Sequence, residues 1–395
     1  MLEVQKYLLT NSLNNLAKEH GVYARFSTQN PLKFSLNYDM LEARDSDPLS
    51  QECRGLVLRL DDGTLNPEVV RDEIGIVGPT TILARPMNRF FNHGQGAASL
   101  VNMESPETRF FEKMDGTLCI LYWDPDLKKW CVATRSVPDA DLPMDGFGQQ
   151  TFSDLFWKAF KLNGGDKSVL DYSKGVHTFC FELCTPDNQV VVRYNNYRVY
   201  LLSVREIEGT EISTEDWAHE MGVHAVPTYR FGNVSELLKF VSSRPPLSFE
   251  GIVVCDKDYN RVKVKNAGYL AYNKIKDAIA KSPRAVLEVI LLGTDDDVMP
   301  LVSERMQGII LSTKEGLRSL LVTLDEEYTR LYDSDRKTFA LRVQEGSGQL
   351  GPHMARWGGK CQSARGWIDM NQKAGSWPDG FLNTLLGMIK NDTPA

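Results

Sequence analysis

The hydrophobic pattern of this chain changes period once, near Asn266, and that change constrains the fold more than any single motif does. Between about residues 30 and 265, short runs such as "CRGLVLRL", "TLCILYW", "HTFCFELC", "RVYLLSVRE" and "EGIVVCD" alternate or are continuously apolar. Bounded by Gly, Asp, Asn and Pro, such runs read as strands. A helical segment, "TFSDLFWKAFKLNGG", interrupts them, opening at a Thr/Ser cap and stopping at Gly164. Beyond Asn266, "LAYNKIKDAIAKSPRAVLEVILLG", "LVSERMQGIILSTKEGLRSLLVTLDEEYTRLYDSD" and "DGFLNTLLGMIKN" carry helical spacing with little strand signal. The pattern predicts an α+β chain: antiparallel sheets with flanking helices over residues 1–266, then an all-helical domain over 267–395.

Composition limits the function classes. With 395 residues, 42% hydrophobic and 25% charged, the chain can build two or three cores, and disorder is not its default. The opening "MLEVQKYLLTNSLNNLAKEHG" has leucines at helical spacing up to Gly21 and reads as one amphipathic helix, not a signal peptide. No apolar run approaches bilayer length; "AVLEVILLG" is short and interrupted by Glu288. The expectation is a soluble protein. Seven scattered cysteines argue for a reducing compartment. A net charge of −7 leaves no global basic footprint, so any contact with nucleic acid must come from local basic patches.

Two motifs mislead. In "HTFCFELC", Cys180, Glu182 and Cys184 share one strand face while His177 has the opposite parity, so four ligands do not converge as zinc requires. "GSGQLG", from Gly346 to Gly351, matches a dinucleotide-loop pattern literally. It follows a helical stretch rather than a strand, and reads as an interhelical loop.

The stretch "FFEKMDGTLCILYW" is harder to dismiss. Asp-Gly between apolar runs is ordinarily a hairpin turn, which would make Lys113 a solvated lysine beside it. Lys-x-Asp-Gly arises by chance in roughly one chain in ten of this length, so it decides nothing alone. Other segments add to it. Arg54 precedes a glycine at the head of an apolar strand in "ECRGLVLRL". Glu182 stands between Phe181 and Leu183, which face the core while it faces away, uncommon for a carboxylate without a partner or a task. "FEGIVVCDKDYNRVKVKN" reads as a hairpin turning in "DKDYN", opened by Glu250. On its second strand Arg261, Lys263 and Lys265 occupy one face about 7 Å apart, repelling one another unless something anionic lies over them.

In chain order, Lys-x-Asp-Gly, a strand glutamate, Glu-Gly-Ile-Val-Val and Lys-x-Lys resemble the motif set of the covalent nucleotidyltransferases. Within that superfamily the chain resembles the RNA ligase 1 family of T4-like phages, through "ECRG", "RPMNRFFN", "FELCTPDNQVVVRY" and "DRKTFA" at Asp335 to Ala340. Matches fall in both halves, so the resemblance spans essentially the whole chain. It implies an ATP-grasp-like nucleotidyltransferase domain and a helical domain that recognises RNA or tRNA. The implied activity is that of an ATP-dependent RNA ligase: Lys113 attacks ATP and holds AMP as a lysyl phosphoramidate, AMP passes to an RNA 5′-phosphate, and a 3′-hydroxyl attacks that activated end, sealing the strand and releasing AMP. Asp115 and Gly116 would shape the loop presenting Lys113, and Glu250 would orient it or act with metal-bound water. Arg54, Arg89, Phe91, Glu182, Lys263 and Lys265 would hold the nucleotide, with Phe91 packing on it, Glu182 on the ribose and Phe90 left to the core. Asp296, in "GTDDDV", matches a metal-ligating aspartate for Mg²⁺ or Mn²⁺. The implied substrate is single-stranded RNA or nicked tRNA in an RNA-repair role, and the implied protein is a cytoplasmic monomer, working in an infected host cell if viral.

Lysine attacks only when neutral, so burial and the neighbouring cations Lys263 and Lys265 are expected to lower the pKa of Lys113. The chain departs from the family pattern at Arg89 and Arg135, where lysine is usual, and at Leu36, which takes the place of an aromatic with Tyr38 close by. Arginine keeps the charge but changes its geometry. The competing readings are a GTP-dependent capping guanylyltransferase, a DNA ligase, and a non-catalytic RNA-binding module.

Overall fold

The computed structural model describes residues 1–61, 75–144, 149–293, 295–299, 302, 304–372, 377 and 379–392, without the side chains of 275–281, 296, 297, 379 and 390–392. Among them the chain divides into two compact units, Met1–Leu270 and Ala271–Ala395. No helix among the described residues is long and apolar enough to cross a membrane.

Three sheets build the first unit. Strands β1 (Val22–Phe26), β2 (Lys33–Tyr38), β3 (Arg54–Leu60) and β4 (Thr80–Ala84) pair antiparallel in that order. The expected single N-terminal helix is two, Glu3–Leu8 and Leu13–His20, because the Ser12 hydroxyl accepts the Asn15 N–H and caps a new start. Both pack Val4, Leu8, Leu13 and Leu16 into one core with Phe34, Leu36 and Leu56.

The second sheet runs β11 (Glu211–Ile212), β10 (Arg198–Glu206), β9 (His177–Cys184), β7 (Thr117–Asp124), β8 (Lys129–Ala133), with β12 (His224–Ala225) beside β10. Phe179, Phe181 and Leu183 on one face of β9 pack on the helix Phe152–Leu162, whose Thr151 and Asp154 form a reciprocal cap. Glu182 takes the other face.

The third sheet runs β13 (Thr228–Tyr229), β6 (Arg109–Glu112), β14 (Gly251–Cys255), β15 (Arg261–Lys265), β5 (Phe91–Asn92). Val262 and Val264 enter the core under the helix Val234–Ser243, as the alternation of "RVKVK" predicts. The opposite face meets the second sheet through Phe111, Met114, Cys184, Val226 and Cys255.

Residues 113–116 are not a hairpin turn. β6 belongs to the third sheet and β7 to the second, so "KMDG" crosses between sheets and the Asp-Gly signal is a local coincidence. The glycine has a different cause: a Cβ on Gly116 would lie 2.3 Å from the Leu183 carbonyl oxygen.

The second unit is helical. Glu304–Leu331 buries Ile310, Leu317, Leu320 and Leu324 against Pro283–Leu292 and Asp379–Asp392. Asp335 caps Arg336–Glu345, and "GSGQLG" joins that helix to Leu350–Trp357. The helix Ala267–Lys281 starts directly after Asn266, but its first turn belongs to the first unit, where the Tyr269 hydroxyl donates to Asp115.

Candidate active site

Lys113 follows β6 directly, and its backbone N–H donates to the Gly251 carbonyl at the head of β14 (2.9 Å). That bond places it beside Glu250. The Lys113 ammonium donates to Glu250 Oε2 at 2.7 Å, and Lys265, opposite Gly251 on β15, lies 2.8 Å from Oε1. One carboxylate, buried at 3% exposure, therefore bridges two lysines that are each 22% exposed.

Asp115 carries the loop. Its Oδ2 accepts the N–H groups of Val191 and Val192 (2.8 and 2.6 Å), and its Oδ1 accepts the Tyr269 hydroxyl (2.6 Å). The Asp115 N–H in turn donates to the Tyr194 hydroxyl at 3.2 Å. Tyr269 lies past Asn266, which is why the first turn of that helix joins the first unit. Gly116 donates its N–H to Glu182 Oε1 at 3.0 Å.

Arg54 reaches the site through a bulge. The β2–β3 register slips at Gly55, so that Leu36 faces Leu56 and Asn37 faces Arg54. Gly55 has φ +83°, and a Cβ there would meet Ile120 at 2.6 Å. The Arg54 guanidinium lies 5.5 Å from the centre of the Phe90 ring, and the Lys263 ammonium 4.6 Å from it. Among the described residues neither cation has a carboxylate within ion-pair distance, and the buried Nη1 of Arg54 has no hydrogen-bond partner. Of the other two cations of the expected row, Arg261 is paired with Glu211 at 2.5 Å, and Lys265 shares Glu250 with Lys113. Among the described residues, Lys263 is the member of that row with no carboxylate at ion-pair distance.

Burial and the neighbouring Arg54, Lys113 and Lys265 push Lys263 down to about 7. Burial, with Glu250 adding to it, lifts Glu182 to about 7 against the pull of Lys113 and Arg54. The expectation for Lys113 is corrected. Burial does press its pKa down, but Glu250 and Glu182 outweigh it and leave the ammonium above its ordinary value. The cations depress Lys263 instead.

The burial of Phe90 and Phe91 is the reverse of that expected, Phe91 being the more enclosed of the two. β5 pairs parallel with β15, Phe91 opposite Val262 and Asn92 opposite Lys263. Residues in register share a face, so Phe91 lies on the face of Val262 and is 6% exposed, whereas half-buried Phe90 sits under the two cations. Arg89 stacks between Tyr38 (4.2 Å) and Phe91 (4.9 Å) and pairs with Asp45 at 2.5 Å, while Arg135 covers Tyr38 from 5.5 Å. Leu36 is fully buried. Asp296 belongs to the helix Asp295–Val298 of the second unit, and its side chain lies outside the described residues. Phe90, Tyr194 and Tyr269 are the site members that sequence reasoning missed; the pair "FF" hinted at the first, and no local pattern at the two tyrosines.

A half-buried lysine on a crossover between two sheets, paired with the glutamate that precedes β14 and lying beside a Lys-x-Lys strand, is the arrangement that the nucleotidyltransferase motifs led one to expect. The family model described as RNA ligase matches residues 52–272, more than half of the chain. The chain belongs to this RNA ligase family, as the motif resemblance implied. A protein of Autographa californica nuclear polyhedrosis virus named as a bifunctional polynucleotide kinase/RNA ligase is 25% identical over 317 residues, 76% of this chain and 42% of that protein. The RNA ligase of Rhodothermus phage RM378 is 23% identical over 362 residues, 74% of this chain and 78% of that protein. The chain thus spans less than half of the baculovirus protein and most of the phage one. Among solved structures, an archaeal ATP-dependent RNA ligase matches with TM-score 0.44 at 13% identity, over 96% of this chain and 95% of that one. A Naegleria gruberi RNA ligase with ATP and Mn matches with TM-score 0.34 at 15% identity, over 43% of this chain and 52% of that one.

Proposed function

We propose that the protein is an ATP-dependent RNA ligase that joins 5′-phosphate and 3′-hydroxyl ends of single-stranded RNA. The observation that carries this reading is the charge arrangement around Lys113: Glu250 bridging Lys113 and Lys265, with Lys263 and Arg54 free of carboxylate partners among the described residues. Four cations beside two carboxylates make a site for a polyphosphate. Lys113 forms a nitrogen–phosphorus bond to the α-phosphate of ATP and pyrophosphate leaves. Glu250, in hydrogen-bond contact with the ammonium, is the group positioned to take its proton. Lys263 and Lys265 then stabilise charge on the leaving pyrophosphate, and Glu182 is close enough to the loop to hold the ribose. An RNA 5′-phosphate oxygen next displaces Lys113 from the adenylate. Finally a 3′-hydroxyl attacks the activated phosphorus and AMP departs.

A divalent cation, Mg²⁺ or Mn²⁺, when bound supplies the positive charge that neutralises the phosphates and favours a neutral lysine. Among the described residues no group of three or more His, Cys, Asp or Glu side chains could hold it alone. Glu250 or Glu182 together with phosphate oxygens is a donor set of the kind Mg²⁺ accepts. The helical unit is read as the part that grips a structured RNA such as nicked tRNA, in an RNA-repair role.

The test is incubation with α-labelled ATP and divalent metal, followed by peptide mapping. One AMP on the peptide containing Lys113 is expected. Label taken from GTP alone, or on any other lysine, would overturn the reading.

A further inference from the structure

The cations over Phe90 are not the end of the cleft. Phe90 also walls a cavity of about 480 Å³ lined by Asn88, Arg205, Tyr259 and Asn260, at the far end of β15 from Lys113. Lys265 is level with Lys113, Lys263 is two residues further along, and Arg261 four. At about 3.3 Å per residue, the cavity mouth at Arg261 lies roughly 13 Å from the Lys265 level and one step beyond Lys263.

We infer that this cavity holds the 5′-terminal nucleoside of the RNA strand whose 5′-phosphate receives the adenylate. The inference rests on the ligase reading above. In the second step the RNA 5′-phosphate must take the place that pyrophosphate has left, beside Lys263 and Lys265, the first of which lies 4.6 Å from the centre of the Phe90 ring. The nucleoside attached to it must then lie within one sugar of Phe90, on the side away from Lys113. The cavity opens there, and its size suits a nucleoside. Its walls carry what a nucleoside needs: the Asn88 and Asn260 amides, and two half-buried rings, Phe90 and Tyr259. Tyr259 is held in place. Its backbone is left-handed at φ +62°, and its N–H donates to the Asp256 carbonyl. The Asp256 carboxylate accepts the N–H groups of Asp258 and Asn260 at 3.0 and 2.9 Å, and the Asn260 side-chain amide at 3.0 Å. Guanidinium groups of Arg109 and Arg261 lie 5.1 and 5.7 Å from the Tyr259 ring centre. The hairpin tip is thus a built wall of the cavity.

The experiment compares two 5′-phosphorylated RNA oligonucleotides, one ordinary and one whose terminal nucleoside is replaced by a propanediol spacer. Each is added to full-length adenylylated enzyme, and RNA-adenylate formation is timed. The ordinary strand should react about tenfold faster, the size of one modest base–aromatic stack. Tyr259→Asn, which tolerates the left-handed backbone, and Asn260→Ala should bring that ratio towards one. A ratio is insensitive to the fraction of variant that folds. Equal rates in the wild type, or a ratio unchanged in both variants, would overturn the assignment. So would variants that leave the ratio alone and raise KM for the 3′-hydroxyl strand when pre-adenylylated donor is supplied, since the cavity would then serve the acceptor. Failure of the wild type to form any protein-bound AMP removes the ligase reading and this one with it; adenylylation with equal rates removes only this one.

Discussion

Two lysines in the first unit are held against carboxylates in opposite ways. Lys33, with no exposed surface, sits on β2 and donates at 2.7 Å to both Asp124 at the end of β7 and Asp139. Tyr122 and Ser27 close that cluster, which staples the first sheet to the second. Around Lys113 the balance is inverted, because two carboxylates face Lys113, Lys265, Lys263 and Arg54, and the cleft is open to solvent. A closed cluster with more acids than bases has no demand for a ligand. An open one with more bases than acids is completed by an anion, and burial of a lysine is therefore less informative than the charge left over around it.

Substitutions can break this contrast. Lys113→Ala should abolish protein adenylylation, by at least about a thousandfold in labelled-ATP assays, with little change in denaturant midpoint. Lys33→Met should do the reverse. Leaving two buried carboxylates unanswered should cost about 3–5 kcal/mol in urea unfolding, while protein that remains folded still takes up AMP. Gly116→Ala tests the crossover between the sheets. Its Cβ meets the Leu183 carbonyl, so a loss of about 1–3 kcal/mol is expected together with a slower adenylylation step.

The smallest effect is on pH dependence. With its folded pKa near 7, Lys263 holds fewer protons than in the unfolded chain between about pH 7 and 10.5, so its contribution makes stability rise with pH across that window. Glu182, raised to about 7, holds more protons than in the unfolded chain below that value, and its contribution makes stability fall as pH rises from about 4.5 to 7. The site is least favourable near neutrality, where a polyphosphate would relieve it. Binding of a non-hydrolysable ATP analogue should then weaken above about pH 7, by up to about tenfold per unit, because Lys263 must take up a proton. Lys263→Met should flatten both the affinity profile and the rise in stability; an unchanged profile in that variant would sink the assignment.

Local pattern alone was enough for the α+β class, the β14–β15 hairpin with its turn in "DKDYN", the helix capped by Thr151, and the ordered motifs that mark an RNA ligase. Each depends on neighbours within a few residues, or on residue identities that chemistry demands. Tertiary structure decided the rest, because it depends on partners far apart in the chain. The Asp-Gly turn became a crossover once β6 and β7 joined different sheets. The burial of Phe90 and Phe91 was reversed by a parallel pairing across 171 positions, Phe91 opposite Val262. The pKa of Lys113 rose because Glu250, 137 residues away in sequence, lies against it. Alternation gives a side chain its parity, but which face is buried, and which charge waits there, is settled only when the sheets meet.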